Sequence, residues 1–553
     1  MSLLATLLHG GWLRQVDHAL GLSLRHAREE TPDWVQAAAA LSSRALANGH
    51  SRLPLRLLPE LFAEIDAERD APELPVLDEW LVLLRLSPWT YVAGDDDKAG
   101  APDDRLLVLE GESLSLRRYW NYECRLAAAL RQRTQADPPR LHLLTGGPGS
   151  GKTTRVASLL ADYVQARQGA GITDAPRILL AAPTGKAASR LSESVRETLL
   201  KQASAGRIAP EAAALVPTEA RTLHRLLGWS RDGFRHDAAH PLAADMVVVD
   251  EASMIDLPMM CKLVEAVPVA AMLVLVGDRD QLPSVETGDV LAALCEASER
   301  PGSALAKVRE HLQGSHRQQQ GVQVLELAAL VREGRADEAI AGLREQRFAG
   351  ARWHDGKERG LQDALLDEAL PTCRELAAQA SVADALKAAR ALRILCAVRE
   401  GPAGSQTLNV AIGNALDPLH QGQSWFKGRL VLITENSYRQ NLFNGDIGIT
   451  WPDENGEPRV WFEADDGPRA WLPAALPAHE PAWALTVHKA QGSEFDRVLL
   501  ALPEHGSRVL SRELLYTGLT RCRSGLQLWA SEDSLRAAIG RRAQRWSGLV
   551  ARL

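Results

Sequence analysis

Residues 146–154 read GGPGSGKTT, placing Gly146, Gly147, Pro148, Gly149, Ser150, Gly151, Lys152, Thr153 and Thr154 in one run directly after the apolar LHLLT. Glycine and proline break helices and strands alike, so packing does not explain such a run. The spacing G-x-x-x-x-G-K-[ST], held between a predicted strand and a predicted helix, is that of a P-loop. Glycines let backbone N–H groups close around phosphate oxygens, and the start of the helix adds partial positive charge. Lys152 is expected to reach the β and γ phosphates of ATP, and the Thr153 hydroxyl to ligate Mg²⁺. Two carboxylates, Asp250 and Glu251, follow the apolar run DMVVV. Asp250 is expected to hold Mg²⁺ through water and Glu251 to polarise the attacking water. A further apolar run, MLVLVG, ends just before Gln281, a candidate sensor of the γ phosphate. Arg317 in GSHRQ and Arg521 in GLTRCR are candidates for neutralising charge on the transferred phosphoryl group.

These groups need a scaffold that delivers several strand ends to one edge. From Leu141 onward, LHLLTG, RILLAAP, MVVVDEAS and MLVLVGD alternate with helical segments. Continuously apolar strands between helices imply an α/β fold with a parallel sheet covered on both faces. Ligands in such sheets bind beyond the carboxyl ends of the strands. The reading gives a P-loop NTPase whose first motor domain spans 106–312. A second α/β domain spans 313–553 and closes with RVLLALP and LQLWAS. Within it, 426–473 is rich in strands, with Asn444-Gly445 as a hairpin turn, and is expected to form a small SH3-like β insertion. Residues 1–105 read as a separate helical domain ending in the acidic, loop-like AGDDDKAGAPDDR, with no catalytic constellation. Its Trp12, Leu13 and Trp34 are candidates for a partner surface, since aromatic anchors dominate such interfaces.

The net charge of −7 excludes a blanket positive field, so any nucleic acid must lie in a local channel. The six scattered cysteines contain no CxxC pair, which argues against zinc, an iron–sulfur cluster or a disulfide framework and fits a reducing cytoplasm. No signal peptide and no run of about 18 apolar residues is present, so no membrane role is expected. No carboxylate and lysine cluster outside the ATP site suits a nuclease.

The order of GGPGSGKT, APTGKAA, ARTLHRLLG, VVVDEASMIDLPMM, GDRDQLPSVETG, SHR, TVHKAQGSEF and LLYTGLTRCR resembles that of superfamily 1 (1B) DNA helicases. LLVLEGESLSLRRYWNYE, DEASMIDLPMM and LCAVREGPAGSQTLN narrow the resemblance to the RecD family, the alpha subunits of exodeoxyribonuclease V. It covers essentially the whole chain. It implies two RecA-like domains with ATP between them. It implies a DNA-stimulated 5′ to 3′ motor acting in double-strand break repair and recombination, together with RecB-like and RecC-like subunits on single-stranded and duplex-end DNA. Any nuclease activity would then belong to a partner. A stand-alone RecD-like helicase and a P-loop subunit with a structural or regulatory role are the alternatives. The implied DNA contacts are Pro183, Thr184 and Lys186 in the first domain, Thr222 and His224 beyond them, and Thr486, His488 and Glu494 in the second. Trp229 and Phe234 flank a hairpin within 228–240, read either as a strand-separating pin or as a plain surface turn. The family carries an adenine-recognising glutamine before the P-loop strand. Here only Gln132 and Gln135 fall in that space, in a shorter segment.

Overall fold

The computed structural model describes residues 2–66, 69–94, 103–172, 174–314, 323–355, 360–421, 424–437, 439–464, 467–504 and 509–553. Its centre is a six-stranded sheet in the order Arg309–Leu312, Leu141–Gly146, Met272–Gly277, Met246–Val249, Ile178–Ala182 and Ala220–Thr222, parallel throughout. The unbroken apolar runs are explained by burial on both sides: Leu143, Val247 and Leu273 pack into one core, and Leu144, Val248 and Val274 into another. A second parallel sheet orders Ala351–His354, Cys522–Trp529, Phe495–Ala501, Leu392–Cys396 and Ala484–Thr486. Leu282 of the first domain packs into the core of the second, so the two share an apolar seam.

The β insertion is a five-stranded antiparallel sheet in the order Arg469–Trp471, Pro458–Phe462, Ile447–Pro452, Leu430–Ile433 and His479–Pro481. It thus runs past residue 473, the expected limit, because His479–Pro481 pairs with Leu430–Ile433. Val431, Ile433, Val460 and Phe462 form its small core.

The N-terminal region departs from a purely helical domain ending at residue 105. Five helices (Leu3–His9, Gln15–Ala27, Asp33–Ala47, Leu58–Ile65 and Leu77–Leu86) pack with a sheet ordered Leu53–Pro54, Ser113–Leu116, Leu107–Glu110 and Thr90–Val92. Leu107, Leu109 and Leu114 therefore belong to this core, and the unit continues to residue 116. Trp12 and Leu13, expected on a partner surface, are buried at 2% and 5% exposure, and Trp34 packs against the same core. Their apolar area is already used within the unit. Trp546, from the far end of the chain, joins this core and stacks on His50 with ring centroids 4.0 Å apart.

Candidate nucleotide and nucleic-acid site

The P-loop links the strand Leu141–Gly146 to the helix Lys152–Gly169. Gly149 (φ 73°) and Gly151 (φ 88°) take left-handed backbone that L side chains rarely adopt, which turns the loop back on itself. The Lys152 ammonium donates to the carbonyls of Gly146 (2.6 Å) and Gly147 (3.0 Å). It lies over the loop where phosphates would sit. The Ser150 hydroxyl is buried without a hydrogen-bond partner. A Cβ on Gly147 would stand 3.1 Å from the Tyr516 hydroxyl, so the second domain closes directly against this loop.

Asp250 and Glu251 follow the strand Met246–Val249. The Asp250 carboxylate accepts from the Glu251 backbone N–H at 2.8 Å. Glu251 has φ 52°, a strained conformation for a residue with a side chain. Burial and the adjacent Glu251 charge push the Asp250 carboxyl up to about 6, and Lys152 opposes the shift. A buried carboxylate of this kind gains from a cation beside it. Among the described residues no three His, Cys, Asp or Glu side chains gather into a metal cage. Mg²⁺ takes one or two protein oxygens and leaves its other positions to phosphates and water. Thr153 and Asp250 supply oxygens of that type.

Across the seam, Arg521 is buried, and its Nη2 donates to Gln281 Oε1 at 2.9 Å. Its Nε donates to the Thr517 carbonyl at 3.1 Å, which fixes the plane of the guanidinium. Gln281 Nε2 donates to Asp278 at 3.2 Å, and the Tyr516 hydroxyl donates to the same carboxylate oxygen at 3.0 Å. Thr517 Oγ1 accepts from the Leu282 N–H at 2.9 Å, and Gln491 donates to the Leu282 carbonyl at 3.0 Å. Burial lowers the Arg521 pKa, while the nearby Glu251, Glu494 and Asp278 carboxylates favour its charge. Lys152, Asp250, Glu251, Gln281 and Arg521 thus converge on one interdomain cleft. Arg317 lies outside the described residues.

Two groups at this cleft escape a reading by motif. Arg190 donates to the Gly492 carbonyl at 2.7 Å and pairs with Glu494 at 3.3 Å. Its signal was its place four residues after Lys186 on the helix Gly185–Ser204, hence on the same face. Tyr516 stands on the helix Arg512–Leu519, five residues before Arg521. Glu494, an expected strand contact, pairs with Arg190 and with Arg523 at 3.1 Å.

The remaining expected DNA contacts cap helices or end strands. The Thr184 hydroxyl accepts from the Ala187 N–H at 3.2 Å, after Pro183 ends the strand segment. Thr222 accepts from the Arg225 N–H at 3.3 Å. Burial, reinforced by Arg393, pushes the Lys186 ammonium down to about 8, and Asp446 of the β insertion opposes it. A Cβ on Gly185 would meet Phe443 at 2.7 Å, so the insertion abuts the start of this helix. Thr486 ends the strand Ala484–Thr486, His488 lies in the turn that follows, and burial lowers the His488 pKa. A Cβ on Gly492 would lie 3.8 Å from Ala187, which brings the two motif groups together. The hairpin pairs Trp229 with Phe234 and Ser230 with Gly233. His224 packs at its base, 6.2 Å from Trp229 and 5.9 Å from Phe234. Trp229 remains 54% exposed.

Gln132 and Gln135 lie toward the sheet edge opposite the P-loop. They close the helix Arg117–Gln135, whose Arg133 donates to the carbonyls of Val264, Pro268 and Ala271, just before the strand Met272–Gly277. The sheet is parallel, so that is its amino edge, whereas the P-loop leaves the carboxyl edge.

Family models match three parts of the chain: an AAA domain over 129–287, a UvrD-like helicase C-terminal domain over 481–528, and the N-terminal domain of RecBCD enzyme subunit RecD over 9–114. The RecBCD enzyme subunit RecD of Mycobacterium tuberculosis is 38% identical over 95% of this chain and 92% of its own length. That of Haemophilus influenzae is 34% identical over 74% and 69%. The ATP-dependent RecD2 DNA helicase of Deinococcus radiodurans is 33% identical over 75% of this chain but only 50% of its own. Near full-length identity on this scale, joined to the cleft described above, makes the chain a member of the RecD family of RecBCD enzyme subunits.

Proposed function

We propose that the chain is the ATP-dependent DNA helicase subunit of a RecBCD-type exodeoxyribonuclease V, translocating 5′ to 3′ on one strand in double-strand break repair and recombination. The observation that carries the motor reading is the Arg521–Gln281 hydrogen bond across the cleft that also holds Lys152, Asp250 and Glu251. Lys152 leaves the loop carbonyls to bind the β and γ phosphates. Glu251 orients the attacking water, and Arg521 neutralises charge as the phosphoryl group transfers. Thr153 and Asp250 would hold Mg²⁺, which screens phosphate charge when bound. Because Arg521, Thr517 and Tyr516 belong to the second domain, the state of the nucleotide sets how the domains meet. The strand contacts Thr184, Lys186, Thr486 and His488 lie on both sides of that seam and move with it. RecB-like and RecC-like subunits are the partners, and the nuclease belongs to one of them.

The test is co-purification with those partners, followed by translocation assays on strands of each polarity. Movement toward 3′ ends with ATP, lost on Lys152→Ala, supports the reading. The variant should lose at least about 10²-fold in DNA-stimulated turnover, as loss of a phosphate-binding group in a preorganised site gives. Undiminished ATPase in the variant would remove the motor assignment and leave a structural subunit.

A further inference from the structure

The amino edge of the first sheet, opposite the nucleotide, opens into a cavity of about 460 Å³. Arg140, Tyr163, Arg167, Arg177, Leu242 and Asp245 line it. Three guanidinium groups therefore face one carboxylate. Asp245 is largely taken by Arg177, through Nη2 at 2.9 Å and the backbone N–H at 2.9 Å. Arg167 stands further off, 3.8 Å from Asp245, and its Nε is buried with no hydrogen-bond partner. Arg140 is half-buried, and its guanidinium makes no hydrogen bond or ion pair among the described residues. Asp245, already paired with Arg177, is the one carboxylate in the lining, so the charge of Arg140 and Arg167 at the cavity is largely unmet.

We propose that this cavity is a second anion site, which binds a small phosphate-bearing ligand through Arg140 and Arg167, with Tyr163 and Leu242 as its less polar wall. Guanidinium groups match phosphate oxygens in paired geometry, and buried donors left unmet are costly. The volume falls in the range of small-ligand pockets, about 300–1,000 Å³. Arg167 lies near the end of the 18-residue helix that begins with Lys152. A ligand there would steady an element about 27 Å long that carries the P-loop at its other end. The inference does not depend on the motor reading.

The experiment is calorimetric titration of inorganic pyrophosphate into the full-length chain with its P-loop filled by saturating Mg·ADP. One further binding event per chain is expected. It should weaken by about tenfold or more in Arg140→Ala/Arg167→Ala, as loss of charge-assisted hydrogen bonds gives. An unchanged ADP-induced rise in melting temperature shows that this variant is folded. AMP in place of pyrophosphate separates the sources: tighter binding of AMP marks a nucleotide, and binding of pyrophosphate alone marks a polyphosphate. If ADP abolishes pyrophosphate binding, or the double variant binds as the parent does, the site does not exist and the arginines await an acidic partner surface instead.

Discussion

Arg521 is a buried cation whose proposed role lies in turnover more than in binding. Its guanidinium is already held by Thr517 and Gln281, so it is in place before phosphoryl transfer begins. Arg521→Ala is expected to cut turnover by roughly 10³-fold or more while nucleotide affinity stays within about tenfold, because the arginine acts on the transition state. Steady-state ATPase and nucleotide titration check this, and equal losses in both would make the residue a ground-state contact. Arg521→Lys should rescue little, since an ammonium cannot reproduce the fork that spans Thr517 and Gln281. Lys152, Asp250 and Glu251 stand in local patterns, a P-loop and a strand-end carboxylate pair, and so could be singled out from sequence. Arg190 and Tyr516 were hidden because their partners, Glu494 and Asp278, are some 240 to 300 residues away along the chain. The displaced Gln132 and Gln135 follow from chain direction, which no residue count before the P-loop could give.

The hairpin 228–240 is small enough that its two paired positions define it. Gly233, at φ 120°, permits the turn, and the Ser230 hydroxyl donates to its carbonyl at 3.2 Å. His224 and Lys262, the latter 4.5 Å from the Phe234 ring, support the base from the motor domain. An exposed Trp229 on a supported hairpin suits stacking against an unpaired base, worth about 1–3 kcal/mol per base. Replacing 230–233 by a minimal turn should therefore abolish duplex unwinding yet preserve ATPase on single strands. Surviving unwinding would make the hairpin an ordinary surface turn. The Asp232-Gly233 pair, a tight-turn signal, marks this element in the sequence. The strands Leu107–Glu110 and Ser113–Leu116 lie just beyond residue 105, the expected end of the N-terminal domain, yet belong to it. They pair with Thr90–Val92 and Leu53–Pro54, and such pairing is set by tertiary packing, not by the acidic stretch that resembles a linker.

The chain closes on itself through its last residues. After the helix Glu532–Gly540, Arg545 donates to the Asn48 carbonyl and Trp546 settles on His50. The buried Glu123 accepts from Ser51 (2.6 Å), Ser547 (2.6 Å) and the Gly548 N–H (2.9 Å), while Arg552 pairs with Glu110 at 2.7 Å. The N-terminal unit is therefore bolted to the end of the second motor domain, and a chain cut near Leu106 would expose Leu107, Leu109, Leu114 and Trp546 together. Such a truncation confounds docking with misfolding, so the partner surface must be probed by point changes. Of the exposed large apolar side chains among the described residues of the unit, Val76 (64% exposed), Val82 (51%) and Leu86 (78%) cluster in or beside the helix Leu77–Leu86, while Val16 and Val92 lie elsewhere. Val82 and Leu86 lie four residues apart and share one face. The inward side of the same helix, with Trp80, Leu81 and Leu84, is already buried. Val82→Glu/Leu86→Glu should thus leave the fold and DNA-stimulated ATPase near the parent level, since surface changes alter stability by about 0.5 kcal/mol or less. The same pair should sharply reduce recovery in a pull-down with RecB-like and RecC-like subunits, because charges at an apolar contact are desolvated without partners. Undiminished recovery would place the interface on the motor domains and leave the N-terminal unit as a clamp on the C-terminal strap.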